Sequence, residues 1–174
     1  IRDRYLRQDI IWHKPNPMPE SVRDRCTKSH EYLFLLSKNR KYYYDNEAIK
    51  EPVKQDWGTR NRDQGKYHNE GTGLQPHSGL TKSYTTKNKR SVWSITNKPY
   101  KGAHFAVFPP DLIEPCILAG SERGDIILDP FMGSGTTGMV AKKHGRNYIG
   151  CELHEDYASL QTDRIDSVPQ QLML

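Results

Sequence analysis

The sequence predicts an α/β protein built on a mostly parallel, Rossmann-like sheet with flanking helices. Three segments carry that expectation. Asp125-Ile-Ile-Leu-Asp129 is a short apolar run that ends in an acid. A glycine-rich turn follows and opens a helix-patterned stretch through Met139, Val140 and Ala141, closed by Gly145. Tyr148-Ile-Gly-Cys-Glu152 is a second short run, again closed by an acid. A strand, a helix and a strand in that order imply parallel pairing through a right-handed crossover.

The other elements follow in chain order. Asp9-Ile-Ile-Trp-His13 has the pattern of a short strand. Lys14-Pro-Asn-Pro-Met-Pro19 breaks regular structure, because each proline lacks a donor and restricts its predecessor. His30-Glu-Tyr-Leu-Phe-Leu-Leu-Ser37 is a nearly continuous apolar run, the pattern of a strand buried on both faces. Tyr42-Tyr-Tyr44 starts another extended segment. Residues 54–91 hold only two aliphatic side chains, Leu74 and Leu80. Such a stretch cannot form a core of its own and is expected to be a long, mobile insertion. Leu112, Ile113, Cys116 and Ile117 recur at helical spacing, with Pro110 and Asp111 in the first turn and Gly124 past the end. Asp156 to Ile165 predicts a last helix with Tyr157, Leu160 and Ile165 on one side.

Composition narrows the class. The chain has 174 residues, a length that suits one domain. Only 34% are hydrophobic, so the apolar residues must be concentrated in the segments above. The net charge of +5 favours polyanionic partners, of which nucleic acid is the commonest. Cys26, Cys116 and Cys151 are odd in number and far apart. That argues against a disulfide framework or a zinc site and fits a reducing cytoplasm. No apolar run reaches the roughly 20 residues that a membrane span needs. The first residues are not a signal peptide, and the chain lacks an initiator Met, so it is expected to begin within a longer protein.

The turn Asp129-Pro-Phe-Met-Gly133-Ser-Gly135-Thr-Thr-Gly138 is the most informative segment. Glycines between a strand and a helix let the backbone bend sharply and approach a ligand. Glu152 lies 19 positions after Gly133. A carboxylate there can accept hydrogen bonds from both hydroxyls of a ribose. Three ligands compete for such a turn. A nucleoside triphosphate needs a lysine after the glycines, and none is present. A dinucleotide matches the nominal G-x-G-x-x-G of Gly133, Gly135 and Gly138, but Asp129 would repel its pyrophosphate. S-adenosylmethionine joins adenosine to a cationic group and suits the acidic frame better. A glycine turn that binds nothing is the bland alternative.

These residues carry a resemblance. Asp129-Pro-Phe-Met-Gly-Ser-Gly-Thr-Thr137 resembles the S-adenosylmethionine motif of DNA amino-methyltransferases, which modify N4 of cytosine or N6 of adenine. His104-Phe-Ala-Val-Phe-Pro109 resembles the same family's motif over the methionine end of the cofactor, and Tyr148–Glu152 its ribose-binding strand. Arg7–Pro17 and His30–Lys38 resemble segments that follow the family's catalytic motif. The motif order is that of the permuted beta class. The resemblance implies an S-adenosylmethionine-dependent enzyme acting on double-stranded DNA, within an N-terminally incomplete sheet. It assigns residues 1–53 to the catalytic half, 54–91 to target recognition and 92–174 to the cofactor half. It implies cofactor contacts at His104, Phe105, Ala106, Asp129, Pro130, Phe131, Gly133, Ser134, Gly135, Thr136 and Glu152.

The family's catalytic motif, Asp/Asn/Ser-Pro-Pro followed by an aromatic, is missing before Trp12. Phe108-Pro-Pro-Asp111 has the wrong flanks, and in Asn97-Lys-Pro-Tyr100 a lysine replaces the first proline. No catalytic residue is therefore assigned to this chain. The motif is expected upstream, on a second polypeptide, or lost. A homodimer is left open. Pro115-Cys116 resembles the nucleophile of C5-cytosine methyltransferases, but it precedes the cofactor turn and lies in an apolar helix, so Cys116 is read as core. His13 and His30 lack ligand spacing and are read as structural. Phe105 and Phe108 are either core or cofactor-packing. DNA contacts are expected from Lys14, Asn16, Arg23 and Arg25 in the proline-broken basic stretch, and from Lys82, Lys87, Lys89 and Arg90 in the polar insertion. Two rival classes stay open: a non-catalytic DNA-binding module or degenerate fragment, and a nicotinamide oxidoreductase.

Overall fold

The computed structural model describes residues 4–53, 85–97 and 108–169. The chain divides into two compact units, residues 1–49 with 90–174, and residues 50–89.

In the first unit, β1 (Tyr5–His13) pairs antiparallel with β2 (His30–Ser37) and parallel with β5 (Val92–Ser94). A separate ladder joins β6 (Ile126–Asp129) and β7 (Asn147–Gly150) in parallel, through α2 (Thr136–Lys143). The strand, helix and strand expected around the glycine turn are present. The three-stranded sheet β2-β1-β5 is mixed, because β1 pairs antiparallel with β2 and parallel with β5. Tyr42–Tyr44 form no strand.

Helix α1 (Pro110–Gly120) is the hub. Its Leu112 packs with Trp12 of β1 and Trp93 of β5, with Cys116 alongside. One residue further round, Ile117 packs with Val140 and Ala141 of α2, with Ile113 and Ile127 beside them. Residues three to four apart share a helix face, so α1 serves both sheets with adjacent stripes. Both buried indoles are satisfied: Trp12 Nε1 donates to Ile95 O at 2.8 Å and Trp93 Nε1 to Arg90 O at 2.7 Å. Midway along α1, Glu114 accepts from Lys143 Nζ and is bonded to His144 Nε2, both at 2.7 Å and both at the end of α2.

One expectation fails for a physical reason. β2 was expected to be buried on both faces, yet it shows one bare face, as does β6. Tyr32, Phe34 and Leu36 alternate along β2 and are exposed, as are Ile126 and Leu128 of β6 and Ile149 beside them on β7. The apolar runs were written for a sheet covered on both sides. The described residues cover only one.

The second unit contributes a short antiparallel pair, β3 (Glu51–Pro52) with β4 (Thr86–Lys87), tied by Lys89 Nζ to Glu51 at 3.3 Å. Residues 54–84 lie outside the described residues, as does Lys82 with them. Helix α3 (Asp156–Asp166) closes the first unit, with Ile165 buried against α2.

Candidate cofactor-binding site

β6 ends at Asp129, and α2 starts at Thr136. Between them the chain makes a turn held by its own polar groups. Asp129 Oδ1 accepts from Phe131 N at 3.0 Å, and Oδ2 accepts from Thr137 Oγ1 at 2.5 Å. Asp129 thus ties both ends of the turn and sits by the positive end of α2. Gly135 is the N-cap residue of α2 with φ of 80°, a left-handed conformation that costs an ordinary residue about 1–2 kcal/mol. A side chain there would also meet Gln161 Cα at 3.2 Å, so glycine is required twice over.

β7 delivers the second acid. Its last residue is Gly150, and Glu152 follows two positions later, past the strand's carboxyl end. Gly150 is needed because Met132 crosses the strand at that point: an added Cβ would lie 2.7 Å from Met132 Cγ. Met132 N donates to Cys151 O, and Cys151 N donates to Asp129 O, both at 2.9 Å. Glu152 Oε2 accepts from Gly133 N at 2.8 Å, and Oε1 accepts from Leu153 N and His154 N, both at 2.9 Å. Three backbone donors therefore fix the carboxylate at the rim of the turn.

The site is layered. Thr136 at the start of α2 is buried, as are Ser134 and Gly135 of the turn. Pro130, Phe131, Glu152 and Leu153 are exposed above it, with Phe131 86% exposed and Leu153 fully so. Two large apolar side chains standing in water beside an anchored carboxylate, at the carboxyl ends of parallel strands, form a surface suited to a nucleoside. The turn carries no lysine or arginine to hold phosphates. A second concavity of about 440 Å³ lies between β2, Tyr42–Tyr44 and α1, lined by Leu33, Lys38, Lys41 and Cys116 among others. It has no acidic lining and does not suit a cationic ligand.

The structure thus brings Asp129, Pro130, Phe131, Gly133, Ser134, Gly135, Thr136 and Glu152 together. His104, Phe105 and Ala106 lie outside the described residues. Sequence reasoning passed over Leu153, Thr137, Gln161 and Arg164. Leu153 left a signal, as the one apolar residue in Glu152-Leu-His-Glu-Asp156. Gln161 and Arg164 left none, since polar residues on a helix usually face solvent.

The described basic residues fall in both units. Lys14 pairs with Glu31 and lies 4.4 Å from the centre of the Trp12 ring. Asn16 clamps the chain at Asn97, donating to its carbonyl at 3.2 Å and accepting from its amide at 3.0 Å. Arg23, Arg25 and Arg90 are exposed, with Arg25 beside Asp24 at 3.0 Å. Lys87 and Lys89 belong to the second unit.

A parallel strand–turn–helix–strand with an acid at or just past the end of each strand defines an α/β protein of the Rossmann-like class. The comparisons with known proteins agree. The DNA methylase family model (N6_N4_Mtase) matches residues 1–163, and the chain belongs to that family. It is 50% identical over 161 residues to the type II methyltransferase M.SmaI of Serratia marcescens, covering 92% of this chain and 46% of that protein. The solved M1.HpyAVI–SAM complex superposes with a TM-score of 0.60 and 25% identity, over 93% of this chain and 63% of the other. The cytosine-N4-specific PvuII DNA methyltransferase has the same fold, with a TM-score of 0.66 and 19% identity over 98% of this chain and 54% of its own. The chain spans slightly under half the length of the curated relatives it matches.

Proposed function

We propose that this chain carries the cofactor-binding part of a site-specific DNA amino-methyltransferase of a restriction–modification type. The complete protein transfers a methyl group from S-adenosylmethionine to N4 of cytosine or N6 of adenine in double-stranded DNA. The observation that carries this reading is the turn itself: Asp129 braces it, Glu152 is anchored 2.8 Å from Gly133 N, and Phe131 and Leu153 stand exposed above. Glu152 receives the ribose hydroxyls, and Phe131 and Leu153 flank the adenine. Asp129 and Glu152 together give the pocket a negative field that favours a sulfonium over a pyrophosphate. The family resemblance assigns His104, Phe105 and Ala106 to the methionine end of the cofactor.

Bound S-adenosylmethionine supplies an activated methyl group, so no covalent enzyme intermediate is needed. The protein's share is to orient the cofactor, exclude water and hold an extruded base in line. The groups that hold the base come from outside the described residues, on an upstream segment or a second polypeptide. The bare faces of β2 and β6 support this, because elements packed onto the sheet in the complete protein would cover them. Residues 1–53 then belong to the catalytic half, 54–91 to target recognition and 92–174 to the cofactor half. Lys14, Asn16, Arg23, Arg25, Lys82, Lys87, Lys89 and Arg90 are the candidates for contact with DNA. Incubating the complete protein with duplex DNA and methyl-labelled cofactor tests the reading. Label on an exocyclic amine supports it, and label on cytosine C5 or no transfer refutes it.

A further inference from the structure

Helix α3 meets the back of the glycine turn, opposite the exposed residues. Gln161 Nε2 donates to Gly133 O at 2.8 Å. Arg164 donates through one terminal nitrogen to Ser134 Oγ at 2.7 Å, and Ser134 is only 3% exposed. An added Cβ on Gly135 would lie 3.2 Å from Gln161 Cα and 3.3 Å from Ile165 Cδ1. One helix therefore touches three consecutive turn residues, 133, 134 and 135. The bonds fall on groups the turn does not satisfy by itself, a carbonyl and a buried hydroxyl. Gly133 is consequently held at both of its peptides, by Glu152 on the ligand side and by Gln161 from behind.

We infer that Gln161 and Arg164 are positioning residues for the cofactor turn. They fix residues 133–135 from behind, so that Glu152 and the Gly133 amide keep one spacing before any ligand arrives. A turn fixed in advance loses less freedom on binding, and the difference appears as affinity. The identity of the ligand rests on the function proposed above. The bracing does not.

The fold supplies a control. Lys142 Nζ on α2 donates to Ile165 O at 3.0 Å and to Asp166 at 3.2 Å, tying α3 down without touching the turn. The test compares Gln161→Glu, Arg164→Met and Lys142→Met in the complete protein. Gln161→Glu keeps shape but removes the donor. The first readout, hydrogen exchange of residues 132–136, needs no ligand. The second is adenosylhomocysteine affinity by calorimetry. Gln161→Glu and Arg164→Met should each speed exchange and weaken affinity about 3- to 10-fold, the worth of one such hydrogen bond. Lys142→Met should change neither, and KM for DNA should stay put in all three. Because a partly buried Arg164 could be needed for folding, Gln161→Glu decides if Arg164→Met does not fold. Unchanged exchange in Gln161→Glu, or equal effects in Lys142→Met, overturns the inference. Failure of the unaltered protein to bind adenosylhomocysteine would instead overturn the functional reading, with the exchange result still deciding the brace.

Discussion

Gly133 N donates to Glu152 Oε2 at 2.8 Å, across 19 residues of chain. This one bond links the end of β7 to the turn after β6, so the acid and the glycine turn behave as one unit. Replacing Glu152 with Gln leaves an oxygen that can accept but removes the charge and half of the acceptor capacity. Hydrogen bonds to charged groups contribute about 1.5–3 kcal/mol, so adenosylhomocysteine affinity should fall about 10- to 100-fold by calorimetry.

Thr137 holds the other carboxylate. It is buried, and its hydroxyl donates to Asp129 Oδ2 at 2.5 Å. Thr137→Val keeps the shape and leaves that oxygen without its donor. The expected cost is about 1–3 kcal/mol in urea unfolding of the complete protein, with Thr137→Ser recovering most of it.

Gly150 exists for Met132. Gly150→Ala places a methyl group 2.7 Å from Met132 Cγ, which is not the far end of the side chain, so the whole side chain must move. Overpacking of this kind costs about 1–3 kcal/mol. A paired Met132→Ala should relieve the clash while adding a cavity, and a double-mutant cycle by urea unfolding should show coupling between the two positions.

Glu114 ties α1 to the end of α2. Burial pushes its carboxyl group up, but hydrogen bonds from Lys143 and His144, with their charge, outweigh burial and leave it below the ordinary value of 4.5. A carboxyl lowered in the folded state stabilises fully above its unfolded value, and the gain is lost as pH falls through the folded value. Melting temperatures of the protein and of Glu114→Gln should therefore differ at neutral pH and converge below pH 4.5. A constant difference across that range would show that the pair acts through packing alone.

The bare sheet faces make a further prediction. Leu128 and Ile149 are exposed neighbours on β6 and β7. The 174-residue chain alone should bind a dye that senses apolar surface, and the complete protein should show much less of that signal. The chain alone should transfer no methyl group to DNA.

Local patterns made much of this readable in the sequence. Asp125–Asp129, the glycines and Tyr148–Glu152 announced a parallel unit because a buried strand, a tight turn and a helix face each leave a short-range signature. The pairing of β1 with β5 left none: Trp12 meets Trp93 across more than eighty residues, and no local pattern records such a contact. The apolar run of β2 pointed to burial on both faces because a sequence is written for the assembled protein. Glu152 was legible as an acid at a strand end, whereas its anchoring by Gly133, Leu153 and His154 depends on a turn shape that appears only in three dimensions.

The most direct measurement is a crystal structure of the complete protein soaked with adenosylhomocysteine. The account predicts density over the glycine turn, with the ribose hydroxyls within 3.2 Å or so of Glu152 and the adenine between Phe131 and Leu153. An empty turn, or a phosphate bound there beside Asp129, would contradict it.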